Sequence, residues 1–403
     1  VIRAYKFLLR PTARQKQALG EMLRDHCSLY NAALQERRGA YRHTSNTRIS
    51  YSDQSVQLKE IRAFDSECQG RWSFSSQQAT LRRLDNAFVA FFRRVKAGQK
   101  AGHPRFKGVG HFDTVVFPRD GDGCRWDSTP DDRQTRMRVR GVGQIRVHRH
   151  RPAQGRVKTI SIKREGTRWY VILACDSVSG DPFPLTGRRI GIDLGVTHFL
   201  TTSDGVHIEN PEIGKRAGAT LATAQRKLRS FPKRRRGRSK AHRAAVRKVA
   251  KLHATVRRQR LDFAHKAANF VIRDADVIAC ERLNISGMTR TPKAKPDLDN
   301  DGVFLPNGAA AKSGLNRSIL DAGWGIFLSI LAYKAESAGR RVIQVDARNT
   351  SRTCPDPECA YVAADNRDGE SFACLKCGLI EHADRVGAIN VNHRAGLVLC
   401  TEA

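Results

Sequence analysis

Two pairs of cysteines constrain the C-terminal part of this 403-residue chain more than any other feature of the sequence. Cys354 and Cys359 form the first pair, and fourteen residues separate it from the second pair, Cys374 and Cys377. Two thiolate pairs at such a spacing are typical of a tetrahedral zinc site in which protein fills all four positions. The zinc would therefore stabilise the fold rather than perform chemistry. The other six cysteines are scattered, which argues against a disulfide framework and predicts a reducing compartment.

Acidic residues end two short apolar segments that the pattern predicts to be strands. Asp193 lies in the first, residues 189 to 194, and Glu281 follows the second, residues 277 to 280, while Asp384 begins a predicted helix. Burying a charge among apolar neighbours is costly unless the charge is paired or bound to metal. Three converging carboxylates could hold two Mg²⁺ ions for phosphoryl displacement. Three plainer alternatives stay open, namely a helix cap for Asp384, an ion pair for Glu281 and a turn for Asp193.

The chain is strongly basic, with 72 Lys and Arg against 39 Asp and Glu and a formal net charge of +33. Such an excess favours a polyanionic partner, and nucleic acid is the first candidate. No apolar run approaches the length of a membrane span, and the first residues show no signal-peptide pattern. The sequence therefore predicts a soluble, cytoplasmic protein that has no membrane partner.

Two basic segments are candidates for contacting phosphates, one over residues 97 to 107 and one over residues 233 to 240. The second could instead be a solvated surface or a localisation signal. The second belongs to residues 226 to 260, which contain 16 Lys and Arg and no acidic residue. Four aromatic residues could stack on bases or lie in the core. The basic candidates are Lys100, Arg105, Lys107, Lys233, Arg234, Arg235, Arg236, Arg238 and Lys240, and the aromatic ones are Trp72, Phe74, Phe106 and Trp126.

Hydrophobic patterning divides the chain into two parts. In the first part, residues 1 to 9 predict a strand, Pro11-Thr12 begins a helical stretch, and residues 81 to 95 form an amphipathic helix. Alternating segments between about 110 and 176 predict antiparallel strands of a small barrel or sandwich. Prolines 182 and 184 indicate a linker over residues 181 to 184.

The second part predicts an α/β core that begins near residue 187. Residues 290 to 316 lack periodicity and are rich in Pro, Gly, Asn and Asp, which predicts a mobile loop or lid. The predicted elements, in order, are strands at 189 to 194, 197 to 202 and 206 to 209, one long helix, a strand at 277 to 280, a helix at 318 to 336 and a strand at 341 to 345.

Taken together, these motifs resemble the TnpB family of RNA-guided endonucleases encoded by insertion sequences, and the related miniature type V CRISPR effectors. The motifs that carry the resemblance are Gly191-Ile-Asp193-Leu-Gly-Val, Ile278-Ala-Cys-Glu281-Arg-Leu, the cysteine pairs and Asp384-Arg-Val-Gly-Ala-Ile-Asn390. The likeness extends over nearly the whole chain, including Tyr5-Lys6-Phe7, Leu315-Asn316-Arg317 and Asn349-Thr350-Ser351.

The resemblance implies an α/β fold with an RNase H-like (RuvC) nuclease core, an inserted zinc ribbon, and an N-terminal wedge-type β-barrel that carries an inserted helical recognition lobe. It assigns residues 1–10 and 105–180 to the wedge domain, 11–104 to the recognition lobe, 187–348 to the first two RuvC motifs, 349–380 to the zinc-binding domain, and 381–403 to the third motif and tail.

The resemblance also implies an RNA-guided, Mg²⁺-dependent DNA endonuclease. Asp193, Glu281 and Asp384 would hold two catalytic Mg²⁺ ions, and the four cysteines would hold a structural zinc. A guide RNA would select double-stranded target DNA by base pairing while the protein reads a short flanking motif, with one chain acting on one RNA. Two alternatives stay open: an RNA-guided repressor with an idle nuclease fold, and a transposase that joins DNA ends with a similar acidic triad.

Overall fold

The computed structural model describes residues 2–108, 110–128, 134–180, 182–232, 239–297 and 302–400. The chain divides into two compact units, Val1–Ser179 and Gly180–Ala403. Within the described residues, no helix is long and apolar enough to cross a membrane.

In its described residues, the first unit contains the elements β1 (Arg3–Arg10), α1 (Ala13–Arg42), α2 (Tyr51–Phe64), α3 (Phe74–Lys96), β2 (Thr114–Phe117), β3 (Cys124–Trp126), β4 (Arg136–Val139), β5 (Gly143–His148), β6 (Arg156–Glu165) and β7 (Arg168–Asp176). The strands form a seven-stranded antiparallel sheet in the order β2-β6-β7-β1-β5-β4-β3. Among the described residues, the edge strands β2 and β3 are not paired with each other, so the wedge-type barrel stays a prediction.

Local sequence signals explain where these elements begin. Thr12 caps α1: its hydroxyl accepts the Gln15 backbone N–H at 3.3 Å, and the Gln15 side chain accepts the Thr12 N–H at 3.0 Å. This reciprocal pair satisfies two N–H groups that a helix start otherwise leaves free. Alternate residues of β1, Tyr5, Phe7 and Leu9, are buried in the core of the unit. These observations confirm the predicted N-terminal strand, the start of the helix after Thr12 and the antiparallel strands that follow.

The second unit begins with the elements β8 (Arg189–Asp193), β9 (His198–Thr202), β10 (His207–Glu209), α4 (Ile213–Arg229), α5 (Lys240–Asp274), β11 (Val277–Glu281), α6 (Ile285–Met288), β12 (Lys295–Pro296), β13 (Phe304–Leu305), α7 (Ala309–Ala322), α8 (Trp324–Ser337) and β14 (Arg341–Val345). A mixed five-stranded sheet in the order β10-β9-β8-β11-β14 confirms the α/β prediction, and β12 and β13 form a separate hairpin. Strands β8, β11 and β14 run parallel, whereas β9 and β10 are antiparallel to their neighbours.

A small cysteine-containing segment follows the sheet and leads into the last helix. It contains two 3-10 turns and a three-stranded antiparallel sheet. Its elements are the turns Thr350–Arg352 and Ala364–Asn366, then β15 (Arg367–Asp368), β16 (Ser371–Ala373) and β17 (Ile380–His382), followed by α9 (Ala383–Cys400).

Both faces of the mixed sheet are covered. Ile278 and Cys280 of β11 lie in one hydrophobic cluster with residues of α5 and α8, whereas Ala279 lies in another with Val391 and Ala395 of α9. Helix α9 approaches β8 so closely that a Cβ atom on Gly191 would fall 2.0 Å from the Ala388 carbonyl oxygen. Glycine at position 191 therefore determines how near α9 lies to the end of β8.

Two sequence predictions for the second unit are wrong in detail. The helix predicted over 318 to 336 is two helices, because Gly323 adopts a left-handed conformation with φ of 75° that ends α7 and begins α8. The loop predicted over 290 to 316 includes the start of α7, where three alanines from Ala309 onward favour helix. The long helix is confirmed as α5, and α4 before it was not predicted.

Candidate functional site

Parallel pairing places two of the predicted site residues side by side. In the register of β8 and β11, Ile192 lies opposite Cys280, so Asp193 and Glu281 are the next residues on the two strands. Neighbouring strands lie about 4.8 Å apart, and ligands of open α/β sheets commonly bind at the carboxyl ends of the strands. Both carboxylates therefore emerge at the same edge of the sheet.

Asp384 comes to this edge from the first turn of α9. A Cβ atom on Gly387, one turn later, would lie 3.2 Å from the Asp193 Oδ2 atom, and one on Gly195 would lie 3.5 Å from the Asp384 Oδ2 atom. These close approaches show that the start of α9 packs directly on the end of β8. The structure thus brings together all three carboxylates that the sequence singled out.

The pKa values of the two strand carboxylates both lie above their ordinary values, chiefly because the groups are buried. Burial, followed by the charges of Glu281 and Asp384, raises the pKa of Asp193 well above its ordinary value. Burial also raises the pKa of Glu281, opposed by a hydrogen bond of 2.5 Å from the Thr350 hydroxyl to Glu281 Oε1. Three close carboxylates in a partly dry site repel one another, and a bound cation removes that repulsion.

Asp276, at the opposite end of β11, is a carboxylate whose charge is compensated by hydrogen bonds and an ion pair within the protein. It accepts the backbone N–H groups of Thr186 at 2.9 Å and Gly187 at 2.7 Å, and it pairs with Arg340 at 2.5 Å. These hydrogen bonds, those from the Thr186 backbone first, lower the pKa of Asp276. Protein donors therefore neutralise Asp276.

Asp193 and Glu281 have no ion pair within the described part of the chain, and Arg367 Nη2 contacts Asp384 Oδ1 at 3.3 Å. Asp384 is the second residue of α9 rather than the residue that precedes the helix. An oxygen-only donor set with excess negative charge fits a hard divalent cation such as Mg²⁺.

The four cysteines also converge. One sulfur atom from each lies within 4.8 Å of the others, with Sγ–Sγ distances of 3.6 Å for Cys354 and Cys377 and 3.7 Å for Cys359 and Cys374. Zinc–sulfur bonds of about 2.3 Å in a tetrahedron place sulfur atoms about 3.8 Å apart. The four thiols therefore form a cluster that could hold a zinc ion.

The structure describes four of the nine predicted basic residues. Lys100 and Arg105 are exposed, and Lys107 is half-buried because Asn31 hydrogen-bonds both its N–H and its carbonyl at 2.8 Å. Lys240 is exposed at the start of α5. Lys233, Arg234, Arg235, Arg236 and Arg238 lie outside the described residues.

The four aromatic residues separate into core and surface. Trp72 is buried and donates its indole N–H to Asp25 Oδ2 at 2.7 Å, while Phe74 and Trp126 pack against the core of the first unit. Phe106 is 46% exposed, and the Arg38 guanidinium lies 5.2 Å from its ring centroid. Only Phe106 keeps an open face.

Sequence reasoning assigned no role to Thr350 or Arg367. Thr350 lies in the Asn349-Thr350-Ser351 segment of the resemblance, but the spacing of that segment says nothing about which side chain it meets. Its contact with Glu281 arises because the chain turns back beside β11 after β14. Only the tertiary structure could show this contact.

Comparisons with known proteins identify two family models and several relatives that this chain matches. Residues 173–291 match the OrfB_IS605 family, described as "Probable transposase", and residues 324–391 match the Cas12f1-like TNB domain. The chain is 29% identical to a protein of Escherichia coli K12 provisionally named RNA-guided DNA endonuclease InsQ, over 97% of this chain and 91% of the relative. A Streptomyces pristinaespiralis protein, provisionally named RNA-guided DNA endonuclease, is 30% identical over 86% of this chain and 78% of its own length.

A solved structure shares the fold. The Cas12f1 chain of a cryo-EM complex with sgRNA and target DNA superimposes with a TM-score of 0.55 at 13% identity, covering 94% of this chain and 83% of that one. The two family models and the shared fold place the chain in the class of proteins related to OrfB_IS605 and to the Cas12f1-like family. The chain belongs to the TnpB family.

Proposed function

We propose that this protein is an RNA-guided DNA endonuclease whose RuvC-like active site is formed by Asp193, Glu281 and Asp384. The observation that carries the proposal is the convergence of these three carboxylates at the carboxyl ends of β8 and β11. Two relatives, at 29% and 30% identity, bear the name of that activity. An acidic site in which Asp193 and Glu281 have no ion pair among the described residues, and only Asp384 contacts an arginine, suits metal-dependent phosphodiester hydrolysis.

The three carboxylates would hold the catalytic Mg²⁺, in a two-ion arrangement. When bound, Mg²⁺ activates water and stabilises the leaving oxygen of the phosphodiester. The protein's own contribution is to fix the ligands. Thr350 holds one oxygen of Glu281, and Arg367 holds one oxygen of Asp384. Gly387 leaves room for Asp193 beside α9.

We assign a structural zinc to Cys354, Cys359, Cys374 and Cys377, because their sulfur spacing matches a tetrahedral site with no open position. The first unit would supply the wedge domain (1–10 and 105–180) and the recognition lobe (11–104). The second would supply the nuclease domain (187–348), the zinc-binding domain (349–380) and the third motif and tail (381–403).

The partners would be a guide RNA and double-stranded target DNA. A net charge of +33 suits two polyanions, whose binding releases counterions and weakens as salt rises. The predicted phosphate contacts at Lys100, Arg105 and Lys107, and at residues 233–240, belong to this proposal. Sequence selection would lie in base pairing, and the protein would read a short motif beside the target.

The test begins with the RNA. The protein is expressed with its flanking genomic DNA and purified in moderate salt, and any RNA that copurifies is sequenced. We expect a discrete RNA with one constant and one variable end. A DNA target that matches the variable end should then be cut when Mg²⁺ is present.

The matched variants are Asp193→Asn and, as the control, Asp365→Asn on an exposed turn. Asp193→Asn should retain the RNA and lose cleavage, whereas Asp365→Asn should keep both. Cleavage by Asp193→Asn at the wild-type rate would refute the site assignment. Guide-dependent binding without cleavage by the wild type would favour the repressor, and joined DNA ends would favour the transposase.

A further inference from the structure

Three histidines gather beside Asp384. His198 begins β9, His207 begins β10 and His382 ends β17. Their ring centroids are 4.4 Å apart for His198 and His207, 5.5 Å for His207 and His382, and 5.8 Å for His198 and His382. These rings have no role in the proposed nuclease site.

We propose that His198, His382 and Asp384 form a further metal site that takes a borderline transition ion such as Zn²⁺ or Co²⁺. One ring nitrogen from each histidine and one carboxylate oxygen of Asp384 lie within 4.8 Å of one another. Two imidazoles and one carboxylate are a recurrent ligand set for Zn²⁺ with an open position, whereas Mg²⁺ prefers oxygen ligands. The site therefore differs in chemistry from both the cysteine cluster and the three carboxylates.

The hydrogen bonds around the rings leave nitrogen atoms free for an ion. His198 Nδ1 is buried and has no hydrogen-bond partner among the described residues, and its Nε2 is 3.7 Å from Glu209 Oε1. His382 Nδ1 accepts the Asp384 backbone N–H at a long 3.3 Å. His207 lies outside this group of three ligands: its ring packs 4.4 Å from that of His198, and its Nδ1 atom is hydrogen-bonded to the Thr201 hydroxyl at 2.9 Å.

Asp384 also keeps an oxygen available. Arg367 contacts its Oδ1 atom at 3.3 Å, whereas Oδ2 faces the turn at Gly195. The His198 side chain is 21% exposed and Asp384 is 8% exposed, so an ion can enter from solvent and still be largely enclosed. Any ion held here shares Asp384 with the nuclease site.

The direct test measures binding of Co²⁺ alone to the full chain with the cysteine cluster saturated with zinc. We expect one Co²⁺ per chain, with visible ligand-field absorption and without the charge-transfer band that thiolate ligands give. His198→Gln and His382→Gln should each weaken this binding roughly tenfold or more, because loss of even an outer partner of a metal ligand costs 10- to 100-fold. His253→Gln, on an exposed position of α5, is the matched control and should bind as the wild type does.

Two results would overturn the site: Co²⁺ that produces only a thiolate signal or no signal, or equal Co²⁺ affinity in both histidine variants and His253→Gln. Retention of one zinc per chain in each variant confirms that its cysteine segment is folded.

A second readout rests on the proposed function. Added Zn²⁺ should slow Mg²⁺-dependent cleavage, and the ratio of rates with and without Zn²⁺ should be closer to one in His198→Gln than in His253→Gln. Equal ratios in the two variants would contradict the sharing of Asp384. The two measurements distinguish failure of the histidine metal site from failure of the proposed nuclease function. Co²⁺ binding without any cleavage would support the site and count against the nuclease, and cleavage without Co²⁺ binding would do the reverse.

Discussion

The hydroxyl of Thr350 offers the sharpest test of how the carboxylate site is held. Thr350 is 4% exposed, and its Oγ1 atom donates to Glu281 Oε1 at 2.5 Å. Thr350→Val has nearly the same shape but cannot donate. It removes this hydrogen bond, and the longer contact of the same hydroxyl with the Ala347 carbonyl at 3.2 Å, and leaves the surrounding packing in place.

The magnitude follows from the charge on the acceptor. A hydrogen bond to a charged group contributes about 1.5–3 kcal/mol, and about 1.4 kcal/mol is a tenfold change in an equilibrium constant. The Mg²⁺ concentration for half-maximal cleavage should therefore rise about 10- to 100-fold in Thr350→Val. This hydrogen bond lowers the pKa of Glu281 against the effect of burial, so its loss raises that pKa further. The defect should be largest at low pH and shrink as pH rises and Glu281 ionises in both proteins.

The assay is single-turnover cleavage of a matched DNA target across a Mg²⁺ titration at two pH values, with the guide RNA bound. Thr353→Val is the matched control, because the Thr353 hydroxyl donates to the Asn349 carbonyl at 2.7 Å on the exposed side of the same segment. An identical Mg²⁺ dependence in the two variants would refute the argument that Thr350 holds Glu281.

Three further predictions concern stability and metal content. Burial lowers the pKa of His26 to about 4, so the unfolded chain binds more protons than the folded chain between pH 6.5 and 4. The free energy of unfolding, measured by urea titration, should therefore fall by roughly 3 kcal/mol as the pH is lowered over that range. An equal fall in His26→Leu would contradict this. Gly191→Ala should cost roughly 1–3 kcal/mol or more by pushing α9 from β8, measured as a lower Tm. Cys374→Ser should release zinc, and unchanged metal content by mass spectrometry would oppose the cysteine site.

The sequence was most informative where a local pattern of apolar residues defined an element whose end also carries a site residue. Apolar residues before Asp193 and Glu281 predicted two strands, and parallel pairing then brought their ends together. The pattern could not locate the break at Gly323, because apolar residues continue on both sides of it and only the backbone conformation, φ of 75°, separates the helices.

Other features depend on contacts that no single segment encodes. Aromatic residues are favoured both in a buried core and at sites that stack on bases, so the sequence could not distinguish Trp72 from Phe106. In the structure Trp72 is buried, whereas Phe106 is 46% exposed. The cluster of His198, His207 and His382 joins two strands of the mixed sheet to the last strand of the cysteine segment. Residues so distant in sequence share no spacing that would reveal them.

The cysteine site and the carboxylate site are physically linked through Asp384. Only seven positions separate Cys377 from Asp384, and β17 lies between them. Cys354, Cys374, Ala383 and Val386 pack in one small hydrophobic cluster around Phe372, so the residues on both sides of Asp384 rest on the cysteine segment. Release of zinc by Cys374→Ser should therefore displace Asp384 while leaving Asp193 and Glu281 on their strands. Cleavage should fall with zinc content, and full activity in zinc-free protein would show that α9 alone holds Asp384.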